Sequence, residues 1–248
     1  MSGHSKWSTI KRKKSAEDAK RGRIFTKLIK EIMVAAKEGG GDLDSNPRLR
    51  TAVDSAKSNN MPQDNIQRAI KKGTGELPGT HYESGTYEGY GPGGVAIFIE
   101  VLTDNKNRTI AEVRHIFTKH GGNIGSSGCV AWMFTQKGQI YIDGGRYSED
   151  VILDTVLECG AEDFSSEEGH YTVTTEVGEL ERVKDCIIKK GIEVESAEVA
   201  MIPSNYVKVE GKDAEKVLKL VESLEEHDDV QKVASNFDMD EELLDSLS

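Results

Sequence analysis

The sequence predicts an α+β chain, with an N-terminal helical domain followed by two ferredoxin-like α/β domains, one inserted into the other. Three observations carry this. Capped apolar runs of helical period occupy residues 23–75; strand and helix patterns follow the order βαββαβ between residues 138 and 201; a second, interrupted set of the same kind flanks that block on both sides. At 248 residues the chain can build two or three cores, since single domains run about 100–150 residues.

Residues 1–22 read as a basic arm. From Lys6 to Arg23 there is little large apolar surface to bury, so the segment is expected to gain order with a ligand. The helical domain, 23–75, opens where Ile24, Leu28, Ile32 and Ala35 recur at helical spacing, and Gly39-Gly40-Gly41 stops that helix. Arg23, Lys27, Lys30 and Lys37 fall on another of its faces. A second helix takes Asn46 as its cap and Pro47 in its first turn, turns Leu49, Val53 and Ala56 inward, and ends near Asn59-Asn60. A third starts at Pro62, buries Ile66, Ala69 and Ile70, and closes on Lys71-Lys72 before Gly73, which suits the helix dipole and a left-handed cap.

A Gly- and Pro-containing linker is expected over 73–93. The split α/β domain, 76–135 with 204–248, then supplies strand 95–102, helix 109–120 and strand 129–134, and after the interruption strand 206–210, helix 213–225 and strand 230–235. The inserted domain, 136–203, reads as strand 138–143, helix 148–159, strands 161–164 and 171–175, helix 179–190 and strand 193–201, the ferredoxin-like order.

The net charge of -11 is unevenly placed. Residues 1–75 hold 17 Lys+Arg against 8 Asp+Glu, leaving 15 against 35 for residues 76–248. Such polarity points to a polyanionic partner for the basic part. The arm carries Lys6, Lys11, Arg12, Lys13, Lys14, Lys20, Arg21 and Arg23 with His4 and Trp7 interleaved, so phosphate-pairing charge comes with a ring able to stack on a base. Lys27, Arg48, Arg50, Lys71 and Lys72 extend the candidate footprint onto the helical domain. The acidic domains are a scaffold or a protein-docking surface, and the stretch 222–229 is a solvated helix face or a docking patch. A monomer is the expectation.

Other chemistries lack their residues. No nucleophile elbow, metalloprotease helix or local cluster of His, Asp and Glu is found, so neither an enzyme, a metal site nor a cofactor is expected. Gly89-Tyr90-Gly91-Pro92-Gly93-Gly94 matches the spacing of a dinucleotide fingerprint, but it precedes a strand instead of following one, and reads as a rigid hinge. Strands 169–173 and 205–209 lack the paired aromatics of RNA-recognition modules, Tyr206 excepted. Cys129, Cys159 and Cys186 are odd in number and widely spaced, which argues against a disulfide framework and for a reducing compartment; Cys159 and Cys186 fall at inward helix positions. With no apolar run long enough to span a bilayer, a cytoplasmic protein is expected.

The motifs GHSKW (3–7), NPRLR (46–50), YEGYGPGG (87–94), NRT (107–109), EVRHIFTKHGGN (112–123) and SGCV (127–130) together resemble the YebC/PmpR family. The resemblance extends along the chain in the same three-part order, with the most distinctive motifs in the first half. It implies a helical domain with two α/β domains, and a cytoplasmic DNA-binding transcriptional regulator. Because similar mitochondrial proteins are translational activators and some bacterial relatives are similar to ribosome-associated factors that ease synthesis of proline-rich stretches, ribosomal RNA is the alternative polyanion. The resemblance carries no residue-level site, so the candidate residues above rest on charge.

Overall fold

The structure, a computed structural model, describes residues 18–239 except Glu168, and the side chains of 21–239 except 167 and 168. The described chain divides into two compact units: one drawn from 1–133 and 203–248, the other Phe134–Ile202.

The first unit opens with three helices, α1 (Asp18–Gly39), α2 (Pro47–Ser58) and α3 (Gln63–Gly73). Their inward residues, Ile32, Ala35, Leu49, Val53, Ala56, Ile66, Ala69 and Ile70 among them, make one apolar cluster. The cap of α2 is the one its sequence encodes: Asn46 accepts the Leu49 N–H at 3.0 Å, and its amide donates to Ala35 O and Gly40 O, both at 2.8 Å. Two details differ from expectation. Helix α1 already runs at Asp18, inside the segment assigned to the arm. Gly73 is the last residue of α3 and not a left-handed cap; the positive φ falls at Gly75. Gly73 is needed for another reason, because a Cβ there would lie 2.4 Å from Met33 O and 2.8 Å from Ala36 Cβ of α1.

The α/β part of this unit is a four-stranded sheet built from β1 (Glu83–Tyr90), β2 (Ala96–Thr103), β3 (Asn123–Ile124) and β9 (Val230–Ser235), in the order β3-β1-β2-β9. Helices α4 (Lys106–Lys119) and α7 (Gly211–Glu225) supply Val113, Phe117, Val217, Leu220, Val221 and Leu224 to the core that β2 meets with Ile97, Ile99 and Val101, and Val95 just before it joins them. Several sequence expectations are corrected here. The supposed linker contains β1, whose ESGTYEGY composition hides it because its core-side positions include Gly85 and Gly89. A Cβ on Gly89 would sit 2.8 Å from the Phe117 ring, so the helix packs on a bare strand. Residues 91–94 are not a hinge between domains but the turn joining antiparallel β1 and β2, closed by Gly91 N–H to Val95 O at 2.8 Å. Residues 129–133 are not a strand: a 3₁₀ turn spans Ala131–Met133, and strand begins only at Phe134. Of 206–210, only β8 (Val207–Lys208) is a strand, and it pairs in parallel with β10 (Phe237–Asp238).

The second unit has β4 (Phe134–Asp143), α5 (Glu149–Glu158), β5 (Asp163–Glu167), β6 (His170–Thr175), α6 (Leu180–Lys189) and β7 (Ser196–Pro203), in the sheet order β5-β6-β4-β7. This is the strand order a βαββαβ chain takes when each crossover skips one strand. Period-two burial turns Ile140, Ile142, Tyr171 and Val173 onto Ile152, Val156, Val183 and Ile187 of the helices. The expectation of unpaired cysteines is overturned: Cys159, which caps the C-terminal end of α5, and Cys186 of α6 are joined in a disulfide, leaving Cys129 free. Two inward positions on adjacent helices bring the sulfurs together, which spacing along the chain does not reveal.

Candidate nucleic-acid interface

The positive face of α1 is already occupied by the chain itself. Arg23, Lys27 and Lys30 are spaced by about one and two helical turns, so they share a stripe, and that stripe lies against the acidic segment following α7. Arg23 pairs with Glu226 at 3.0 Å, Lys27 Nζ donates to Glu225 O at 2.6 Å, and Lys30 Nζ donates to Asp228 O at 2.9 Å and to Asp229 Oδ1 at 2.7 Å. Lys30 also stands over the Tyr82 ring, 5.2 Å from its centroid. The stretch 222–229 is thus a docking patch for the protein's own first helix.

Asp229 is the centre of this junction. Its carboxylate accepts from Lys30, from Arg108 at 2.7 Å and from Thr109 at 2.8 Å, and it is 3 % exposed. Burial pushes its pKa up, but the hydrogen bonds from Lys30, Arg108 and Thr109 outweigh burial and hold it well below the usual carboxylate range. A cleft of about 810 Å³ opens beside it, lined by Lys30, Tyr82, Arg108, His115 and His227 among others. Glu112, His227 and Asp229 each bring a potential ligand atom within 4.8 Å of the others. These atoms are committed elsewhere: His227 Nδ1 accepts the Asp229 N–H, Nε2 faces Glu112 at 2.9 Å, and two cations neutralise Asp229. The arrangement is an ion-pair network joining three elements.

The other candidate residues divide into three groups. His4, Lys6, Trp7, Lys11, Arg12, Lys13 and Lys14 lie outside the described residues, as does the side chain of Lys20. Arg48 is held by Glu31 at 2.7 Å and Glu38 at 2.6 Å, hydrogen bonds that raise its pKa; with Arg23 and Lys27 it is engaged within the fold. Arg21 stands over the Phe25 ring at 5.7 Å. Arg50 on α2 is half-buried with its Nε unpartnered, and Lys71 and Lys72 form the last turn of α3. Sequence reasoning did not single out Lys30 or Asp229, since burial of one lysine in a basic helix leaves no mark in the residue pattern.

A second built feature accounts for the SGCV motif. Glu88 of β1 is buried and accepts N–H groups from Gly128, Val130 and Ala131 at 2.6, 2.8 and 2.8 Å. Burial raises its pKa, and these three backbone hydrogen bonds bring it below the usual value. The loop so pinned offers Cys129 O to both Tyr90 OH, at 3.0 Å, and Trp132 Nε1, at 3.1 Å, leaving the Trp132 ring 72 % exposed. Burial and the nearby Glu88 charge push the Cys129 thiol pKa up, away from reactivity.

Comparison with known proteins covers the whole chain. Residues 5–76 match a family model described as the TACO1/YebC protein N-terminal domain, and residues 82–237 one described as the TACO1/YebC second and third domain. Proteins from Desulforapulum autotrophicum and Geotalea uraniireducens, each named a probable transcriptional regulatory protein, are 58 % identical over 247 residues, covering 100 % of both chains. A crystal structure of a conserved hypothetical protein from Aquifex aeolicus is 49 % identical with a TM-score of 0.86, covering 92 % of this chain and 94 % of its own.

Proposed function

We propose, from the premise that this chain belongs to the TACO1/YebC family, that it is a cytoplasmic, non-catalytic regulator of transcription that binds DNA. Its relatives named as probable transcriptional regulatory proteins match over the full length, and among the described residues no helix is long and apolar enough to cross a membrane. The observation that carries DNA binding is the charge polarity: 17 Lys+Arg against 8 Asp+Glu in residues 1–75 of a chain whose net charge is -11.

The ion pairs within the fold support a narrower footprint for this reading. Arg23, Lys27 and Arg48 are matched inside the fold, whereas Arg50, Arg68, Lys71 and Lys72 have no ion-pair partner among the described residues. The reading therefore places the phosphates on the arm and on the α2 and α3 surface, with the acidic domains free to meet a protein partner. Crosslinking in cells followed by sequencing of the bound nucleic acid tests it, comparing the intact chain with one lacking residues 1–22. Promoter DNA is expected from the intact chain and is lost on truncation. Recovery of ribosomal RNA in its place overturns the transcriptional reading.

A further inference from the structure

The motifs YEGYGPGG and HGGN, though distant in sequence from the basic arm, meet at one end of the four-stranded sheet. The β1–β2 turn and the α4–β3 turn pack side by side: a Cβ on Gly122 would lie 2.7 Å from Tyr90 O and 3.2 Å from Gly91 Cα, and one on Gly121 3.7 Å from Pro92 Cγ. Gly93, Gly94 and Gly121 have φ of 71°, 79° and 80°, so these positions favour glycine. Helix α7 closes the pair of turns. Val217 and Leu220 come within 3.8 and 3.3 Å of a Cβ on Gly91, and Lys216 Cδ within 4.0 Å of one on Gly121.

The charge around these turns is opposite to that of the surrounding domain. Lys119 ends α4, and Lys216 and Lys219 are exposed on α7 beside its buried Val217 and Leu220. His120, which caps α4 next to Lys119, is hydrogen-bonded at 3.1 Å to Ser223, one helical turn after Lys219 on α7; burial first, then the charges of Lys119 and Lys219, lower its pKa. Lys119 and Lys219 have no carboxylate partner among the described residues, and the contact of Lys216 with Asp213 is 4.0 Å. Two lysines without an ion-pair partner among the described residues, Lys119 and Lys219, in the half of the chain that holds 35 Asp+Glu against 15 Lys+Arg favour an external anion.

We propose that this surface is a second contact for the phosphate backbone of the nucleic acid that the helical part binds, an inference resting on the functional reading above. The backbone N–H groups of Gly91, Gly94, Gly121 and Gly122 all bond within the turns, at 2.8, 3.2, 3.2 and 2.9 Å, so this is not a nucleotide-phosphate cradle. The glycines leave a surface bare of side chains that a strand can approach closely. Lys119, Lys216 and Lys219 supply the charge.

The test titrates the full-length chain with a fluorescent DNA duplex, and with a single-stranded RNA of matching sequence, over a salt series. Lys119→Glu with Lys219→Glu is compared with Lys189→Glu with Lys190→Glu, an equal charge change at the end of α6 in the inserted unit. Loss of two phosphate contacts on the duplex reduces the slope of log affinity against log salt by roughly two units, with an affinity loss of tenfold or more at low salt. The α6 variant retains the slope, and so do Lys119→Arg with Lys219→Arg. Lys119→Gln with Lys219→Gln gives the same answer where reversal disturbs folding, which a thermal melt reports. If the Lys119 and Lys219 variants match the α6 variant while the intact chain binds, the second contact is refuted and the functional reading stands. If the intact chain binds neither probe, both fall together.

Discussion

At the scale of single residues, Asp229 is a buried carboxylate held by Lys30, Arg108 and Thr109. With 5 % of its side chain exposed against 8 % for Lys30, the pair is a buried one, and removing one partner strands a charge away from water at a cost of about 3–5 kcal/mol. Asp229→Asn is therefore expected to lower urea stability at neutral pH by that order. The pH dependence has a definite sign. A carboxyl whose folded pKa is depressed contributes fully above its unfolded pKa, about 3.9, and that contribution drains away as pH falls below it toward the folded value. The gap between the wild-type chain and Asp229→Asn should thus be widest at neutral pH and shrink on acidification below about 4; a gap independent of pH contradicts the network. None of this was legible in the sequence, where Asp228 and Asp229 look like any acidic helix exit and Lys30 like any member of a basic face.

At the scale of elements, two glycines separate helix propensity from packing. Gly22 lies within α1 with open space where a Cβ would stand, no atom coming within 4 Å of that position, whereas a Cβ on Gly73 runs into Met33 O. Gly22→Ala is expected to stabilise by up to about 1 kcal/mol, and Gly73→Ala to destabilise by about 1–3 kcal/mol because α1 and α3 must separate. Thermal melts of both variants check the pair, and equal shifts would deny the close crossing. The helices were legible because cap chemistry and apolar period agree, as at Asn46-Pro47 before Leu49 and Val53. Strand β1 was not, since its core side is made partly of glycine that fits under Phe117. Residues 129–134 misled in the opposite sense: Cys129 and Val130 read as strand, but the three N–H groups of Gly128, Val130 and Ala131 go to the Glu88 carboxylate and not to a neighbouring strand. The disulfide escaped for a related reason, because the inward placement of Cys159 and Cys186 is local information and their adjacency is tertiary.

At the scale of the whole molecule, net charge conceals both what binds and what is already bound. The acidic segment after α7 sits on the stripe of Arg23, Lys27 and Lys30 as a polyanion would, so counting lysines and arginines overstates the surface left for a ligand. The arm, with Lys11, Arg12, Lys13 and Lys14 in succession, then carries most of the remaining charge. If about six phosphates of a duplex are paired, log affinity falls against log salt with a slope of about -5. Reversing Lys11, Arg12, Lys13 and Lys14 to Glu removes roughly 3–4 units of that slope, at about 0.9 per phosphate. Arg48→Ala is expected to leave the slope almost unchanged, because Glu31 and Glu38 already match its charge. A flat salt response of the intact chain contradicts phosphate pairing altogether. A loss at Arg48 as large as that from the arm shows instead that a ligand draws Arg48 away from its two carboxylates, and the interface would then have to form by exchanging ion pairs within the helical domain.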